Sequence, residues 1–318
     1  MRKKLTILTD PVGTWKTDIR LWMKYHVLHR KWGGHAAVTR SLIEGFKKID
    51  FNDYNLNPYL ESEIAERVHV LAGVKTLQYA IELKRRGKIK FLSAGSNVVV
   101  FSTDYDGIIA SPEVDLYLQP SQWTCDCHIE RMPSLTGRCV PWPAGVDISK
   151  LELKKCNGQK GRVLLYHKDE SVQLAFQVET LLKSKGYTVT YIKYGAYQFE
   201  DYINALREVE FAVVIDRVES QGLFLAEAWA MNVPTLCFDP HCYRWICPNE
   251  TYDYFHTSSA PYLSEATGAE WFELSELELL LDNIEQLKKK SYPRKWVEEH
   301  MTDEVCAERF LEIIGIKS

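Results

Sequence analysis

The chain has 318 residues, 46% hydrophobic and 26% charged, which is ordinary globular composition and enough length for two cores, since single cores rarely grow past about 250–300 residues. A formal net charge of −4 gives no global electrostatic reason to bind nucleic acid or an anionic surface, so any partner has to be chosen by local chemistry. No run approaches the roughly 18 apolar residues of a membrane span, and the opening MRKKLTILTD lacks the apolar core and cleavage site of a signal peptide, so a cytoplasmic protein is expected.

From the N-terminus, LTILTD (5–10) reads as a strand. The stretch 14–34 sets Trp15, Ile19 and Trp22 at helical spacing, with five Lys/Arg against one acid from Thr14 to Lys31. Two uses fit it equally: a basic amphipathic helix in peripheral contact with a membrane or a lipid-linked acceptor, or a helix whose aromatic face is core. HAAVTRSLIEGFKKI (35–49) follows as a helix with Val38, Leu42 and Phe46 one turn apart. VHVLAG (68–73), VDLYLQPS (114–121) and RCVPWPAG (138–145) read as strands, AGSN (94–97) as a loop. VKTLQYAIELKRRG (74–87) reads as a helix ending in basic residues and glycine. Eight cysteines stand without paired CxxC spacing, and Cys125, Cys127 and His128 lack the second pair a zinc site needs, so they read as thiols in a reducing compartment.

The polar stretch 151–161 reads as an interdomain linker, which gives domains of 1–157 and 158–292, with the tail 293–318 a broken helix returning to the first. A second βαβ series runs VLLYH (163–167), SVQLAFQVETLLKSKG with Leu174, Val178 and Leu181 on one face, TVTYIKYG, EDYINALREV, FAVVID (211–216) and TLCFD (235–239). The expected fold is α/β, two Rossmann-like domains in series, with ligands at the strand C-termini.

Between the last two strands lies ESQGLFLAEAWAMNVP (219–234), an apolar stretch carrying Glu219 before a glycine and Glu227 amid Leu, Phe, Ala and Trp. A carboxylate there needs polar partners from the protein or a ligand. Glu219, Ser220, Gln221 and Gly222 form the loop leaving FAVVID, and a helix starts near Leu223. Its free N–H groups and positive dipole end suit a phosphate, and Gly222 allows close approach. Glu227 is then placed to accept hydrogen bonds from hydroxyls such as those of a ribose.

The spacing Glu219-x7-Glu227 resembles the E-x7-E signature of retaining GT-B glycosyltransferases, family 4 above all. Gly33-Gly34 looks like that family's glycine loop, PAGVD (143–147) like the close of its first domain, APYL (260–263) with Gly268 like the last strand of its nucleotide domain, and the tail like the helix that crosses back. The resemblance implies two domains facing across a cleft, and a metal-independent, retaining transfer of a hexosyl or pentosyl group from a nucleotide-sugar donor to a glycan, lipid-linked or other hydroxyl acceptor. Glu219 would meet the donor sugar, Glu227 the ribose, and the N–H groups of Gly222 and Leu223, with Ser220 and Gln221, the diphosphate. Gly33, Gly34 and His35 would lie near donor and acceptor, with His35 kept as a base. Lys168 stands where the family's basic pair begins; its arginine is missing, and Arg162 or Arg217 would have to replace it. His128, His167 and His241 are bases by residue type only. Two other readings remain: a GT-B nucleotide-sugar epimerase or non-catalytic binding protein, and a GT-A enzyme holding manganese through Asp104 and Asp106 in STDYDG (102–107).

Overall fold

The structure, a computed structural model, describes residues 3–9, 34–58, 60–151, 161–168, 171–246 and 252–316. The basic stretch 14–34 lies outside these residues up to Gly34, as do Gly33, most of the linker, and the side chain of His35. Contacts divide the chain into two units, 1–145 with 303–318, and 146–302. The boundary therefore falls at Gly145, where the sequence suggested 157, and only the second half of the tail joins the first unit.

In the first unit, β1 (Leu5–Leu8), β2 (Tyr54–Leu56), β3 (Arg67–Ala72), β4 (Phe91–Asn97), β5 (Leu116–Gln119) and β6 (Cys139–Pro141) form one sheet in the order β2-β1-β3-β4-β5-β6. Every pairing is parallel. β1 is buried along its whole length, as a strand covered on both faces must be, and its one polar residue, Thr6, donates its hydroxyl to Asn55. Helix α1 (Gly34–Lys48) buries Val38, Leu42 and Phe46 as the spacing predicts. AGSN is no loop but the end of β4. Its glycine is demanded by the neighbouring strand: a Cβ on Gly95 would stand 1.9 Å from the Leu118 carbonyl oxygen. Helices α2 (Val74–Arg85) and α3 (Gln122–Arg131) follow β3 and β5. Cys125 and His128 of α3 are buried in it.

The second unit contains β7 (Arg162–His167), α4 (Val172–Ser184), β8 (Thr188–Lys193), α5 (Phe199–Glu208), β9 (Phe211–Ile215), α6 (Leu223–Ala230) and β10 (Thr235–Phe238). A hairpin, β11 (Cys242–Ile246) with β12 (Tyr252–His256), separates β10 from β13 (Gly268–Trp271). The sheet order β13-β10-β9-β7-β8 is parallel throughout. α4 turns inward Ala175, Val178 and Leu182, with the predicted Leu174 and Leu181 at the margin of the face. Its Ser171 caps the helix, accepting the Leu174 N–H at 3.2 Å. APYL is not a strand: Leu263 N–H closes a turn on the Ala260 carbonyl at 2.9 Å, and Pro261 within it has no N–H for a ladder. The final strand begins at Gly268, where a Cβ would meet the Thr235 carbonyl oxygen at 1.8 Å.

After α7 (Leu274–Asp282) and α8 (Ile284–Lys290), the tail breaks into α9 (Pro293–His300) and α10 (Asp303–Ile313). α9 stays with the second unit: Trp296 meets Trp229 of α6 edge-on at 5.4 Å, and Arg294 donates to the Ala230 and Leu151 carbonyls at 2.7 and 3.0 Å. α10 packs on α1 in the first unit. Asp303, fully buried, pairs with Arg40 at 3.1 Å; Trp142 donates its indole N–H to the Cys306 carbonyl at 2.9 Å; and Phe310 packs against Phe46 and Trp142. Among the described residues, no helix is long and apolar enough to cross a membrane.

Candidate functional site

In the second sheet the strand order reverses between β7 and β9, and a doubly wound sheet opens a crevice beyond the strand C-termini at such a point. Lys168, the first residue after β7, is fixed there by its own backbone, whose N–H donates to the Ile215 carbonyl at the end of β9 (2.8 Å). Its ammonium lies 3.1 Å from the Asp216 carboxylate and is hydrogen-bonded to Glu219. These side chains differ in depth: Asp216 is fully enclosed, whereas Lys168 and Glu219 keep 19% and 17% of their surface. Asp216 Oδ1 accepts the Arg217 N–H at 2.8 Å.

One ammonium thus serves two carboxylates. Burial pushes the Asp216 carboxyl up to about 6, with Lys168 pulling it back and Glu219 adding to the rise. Burial draws the Lys168 ammonium down, but Glu219 and Asp216 together outweigh that and hold it above the ordinary lysine range. It also lies 5.3 Å from the Tyr194 ring centroid and 5.9 Å from that of Phe224, where the negative ring faces add attraction.

Gly222 precedes α6 in the left-handed region (φ 82°), and no side chain caps the helix there. The first-turn N–H groups are therefore not met by a capping side chain, which is the arrangement that receives anions. A Cβ at Gly222 would come within 2.9 Å of Leu225 and 3.4 Å of Glu219, so the glycine keeps the loop tight. Ser220 and Arg217 are exposed, Gln221 is buried and Leu223 half-buried. Asn232, also left-handed, follows the helix ahead of Pro234, as its stop signals predict.

Glu227 is half-buried on α6. After burial, its charge is the next cause that lifts the Tyr202 phenol far above its usual value, and it also helps raise Tyr197. Tyr202 donates to the Phe224 carbonyl at 2.7 Å, Tyr166 and Tyr197 share a hydrogen bond at 3.0 Å, and the Tyr166 ring stacks on Phe224 at 4.5 Å. These aromatics brace the first turn of α6 from beneath. Tyr202→Phe, which removes that hydrogen bond, should lower stability by about 0.5–1.5 kcal/mol with little change in fold, read as a lower urea midpoint at unchanged slope.

The structure brings Lys168, Glu219, Gly222 and Glu227 into one neighbourhood and separates other candidates from it. Arg162 begins β7, so it lies at the opposite end of the strand from Lys168, where it pairs with Glu208 at 2.6 Å; it cannot replace the missing arginine. His167 turns to Tyr191, its Nδ1 2.7 Å from the phenol oxygen. His128 packs edge-on against Tyr117 at 5.3 Å, and burial drives it down to about 4, so it is neutral at physiological pH. Asp104 accepts the Phe101 N–H at 2.9 Å and so closes its own turn, while Asp106 is left-handed. Two doubly wound units are also not the single-domain GT-A architecture, which removes the Asp104/Asp106 reading.

Among the described residues, one group of potential ligands lies close together: Asp239, His241 and Glu270, all within 4.8 Å. The imidazole offers Nδ1 to Asp239 (3.6 Å) and Nε2 to Glu270 (3.7 Å). His241 and Glu270 are exposed and Asp239 is buried. Asp239 is also engaged by Ser258 Oγ at 2.9 Å and Ser259 N–H at 3.1 Å. Ser258 in turn accepts the Glu219 N–H through its carbonyl at 2.9 Å, which ties the Glu219 loop to the end of β10.

Asp216 and the tyrosine brace escaped the sequence reading. The signal for Asp216 was present: a carboxylate directly after five buried residues of a parallel strand falls at the ligand edge of the sheet. The tyrosines carry no such signal, because Tyr166, Tyr197 and Tyr202 come from three elements joined only by folding.

No protein-family model matches the sequence, and neither does any curated protein. Solved structures do match. The apo form of the lipopolysaccharide outer core galactosyltransferase WaaB superposes with a TM-score of 0.58 at 11% identity, over 98% of this chain and 99% of that one. Sucrose-phosphate synthase from Thermosynechococcus elongatus gives 0.57 at 12% identity, over 98% of both chains. HepE from Anabaena, in complex with UDP and glucose, gives 0.52 at 11% identity, over 98% of this chain and 99% of that one. At such low identity these superpositions establish the fold alone: two Rossmann-like units of the GT-B class.

Proposed function

We propose that this chain is a GT-B glycosyltransferase that moves a sugar from a nucleoside-diphosphate donor to a hydroxyl acceptor, with retention and without a metal. The observation that carries the proposal is Lys168 at the switch point, paired with Glu219, beside an uncapped helix start bearing Glu227. The GT-B fold shared with WaaB, sucrose-phosphate synthase and HepE supports it, as does the complex of HepE with UDP and glucose. Glu219 would hold donor-sugar hydroxyls, Glu227 the ribose, and the N–H groups around Gly222 and Leu223 the diphosphate. Negative charge grows on the departing diphosphate during transfer, and Lys168 with the helix start are fixed groups of the right sign to meet it. A glycan or lipid-linked acceptor, selected near Gly34 and His35 on the cytoplasmic side of a membrane, fits the E-x7-E family resemblance.

The test is a thermal-shift panel of nucleoside diphosphates and nucleotide sugars, with and without divalent cations, on the wild type and Glu227→Ala. A ligand binding only the folded state adds about 2.7 kcal/mol at a hundredfold excess over its Kd. One nucleotide should raise Tm without metal, and Glu227→Ala should lose most of that rise. No shift with any nucleotide, or a manganese-dependent shift that survives the substitution, would refute the assignment.

One observation favours a second reading. Lys168 is shared between two carboxylates, so a nucleotide-sugar epimerase or a binding protein is the alternative. Donor isomerised without acceptor would identify the first, and affinity without product the second.

A further inference from the structure

The three charges at the switch point do not balance. With both carboxylates ionised, Lys168, Asp216 and Glu219 sum to −1, and a diphosphate arriving at the start of α6 meets an ammonium already claimed twice. The carboxylates are not equally able to yield. Glu219 sits on a loop with part of its surface open. Asp216 is fully enclosed: Oδ1 takes the Arg217 N–H at 2.8 Å, and Oδ2 faces the ammonium at 3.1 Å without an aligned hydrogen bond. Asp216 cannot swing away, so the only way for it to release Lys168 is to take a proton.

We propose that Asp216 is a positioning residue whose protonation releases Lys168 toward the donor diphosphate, so that donor binding takes up a proton. The proposal rests on the glycosyl-transfer reading above and adds to it the control of its anion site.

The groups that face Asp216 are Lys168 just after β7, Glu219 and the Arg217 and Val218 N–H groups from its own loop, and the Cys237 thiol from β10. Cys237 is neutral there, because burial, with Asp216 and Asp239 among the further causes, pushes its thiol up to about 12. Asp239 is held by the 258–259 loop, and His167 is turned to Tyr191. The sign follows. Burial places the Asp216 carboxyl near 6, above the usual carboxylate range, so the folded protein gains this proton as pH falls through about 6. The local sum then rises from −1 to 0, and Lys168 retains one partner, Glu219, which can move. A bound diphosphate adds negative charge beside Asp216 and draws its proton on at still higher pH, and by linkage the affinity for the diphosphate must rise as pH falls.

The experiment is calorimetric titration with UDP, and with inorganic pyrophosphate as a base-independent probe, from about pH 5 to about pH 8 on the wild type and Asp216→Asn. The probes titrate in this range themselves, so the readout is the ratio of wild-type to variant Kd at each pH, in which ligand titration cancels. The expected ratio is about ten at the alkaline end, the variant binding more tightly, and falls toward one at the acid end. The difference in Tm between variant and wild type should likewise be more positive at the alkaline end, where the wild type carries the enclosed charge. A ratio that does not change with pH, or a variant that binds more weakly throughout, overturns the proposal while leaving the glycosyl-transfer reading intact. A wild type that binds neither probe at any pH overturns both. If Asp216→Asn does not fold, Asp216→Ser, smaller and also uncharged, gives the same ratio test.

Discussion

Lys168→Met should lower turnover by about 10²–10³-fold, whether turnover is read as transfer or as slow hydrolysis of the donor. That is the usual cost of removing one preorganised group from a site of developing negative charge. The same change should reduce stability, because it leaves Asp216 enclosed and Glu219 largely buried without their shared cation. Removing one partner of a buried pair costs about 3–5 kcal/mol when the remaining charge cannot escape. Here the charge has a partial escape, since burial already raises the Asp216 carboxyl to about 6 and loss of the Lys168 ammonium, which pulls it down, raises it further. The loss should therefore sit at the lower end of that range at alkaline pH and shrink as pH falls. Glu219→Ala offers the contrast: it keeps the Lys168–Asp216 pair, should cost little stability, and should reduce turnover more than nucleotide affinity. Full turnover in Lys168→Met would end the leaving-group assignment for this lysine.

Gly45→Ala should destabilise the first unit by about 3 kcal/mol or more, although alanine is the better helix former by about 1 kcal/mol. Gly45 lies in α1 where α10 crosses it, and a Cβ there would stand 2.2 Å from the Asp303 carbonyl oxygen and 2.7 Å from Ala307 Cβ. The nearest obstacle is backbone, so no rotamer change relieves it. Moving α10 outward would strain the Arg40–Asp303 pair and loosen Phe310 from Phe46 and Trp142. The observable is a lower urea midpoint together with faster proteolytic cleavage at Met301–Thr302, between α9 and α10. A Gly45→Ala protein as stable as the wild type would mean that α10 does not pack on α1 as described.

Strands and helices could be read from the sequence wherever one periodicity dominated. LTIL, VLLYH and FAVVI are largely apolar without alternation because both faces of a parallel sheet are covered, and Val38, Leu42 and Phe46 mark a single buried face. The sequence misled where tertiary contacts overrode composition. FLSAGSN carries serine and glycine, which read as loop, yet Gly95 is there because the next strand passes too close for a side chain. APYL looked apolar enough for a strand, and Pro261 made it a turn. The hairpin of β11 and β12 takes the place a crossover helix usually occupies, and nothing in CYRWI or YDYFH announces its pairing. At the site, Glu219, Gly222, Glu227 and Lys168 were visible because spacing and strand ends locate them. Asp216 reads as the last residue of a strand, and Arg162 reads as a possible cation by residue type alone, although it precedes VLLYH and Lys168 follows it.

The first unit is built from two stretches of chain, and its last helix joins residues as distant as Arg40 and Asp303, which are 263 positions apart. The second unit is contiguous. During synthesis, therefore, the second unit has all its residues before the first does, although its first residue is made later, and α1 waits with its face for α10 uncovered until α10 has been made. Loop closure over so long a span is slow compared with the local βαβ pairings. In refolding, the contiguous unit should regain its protection from hydrogen exchange ahead of α1, so the order of maturation reverses the order of translation.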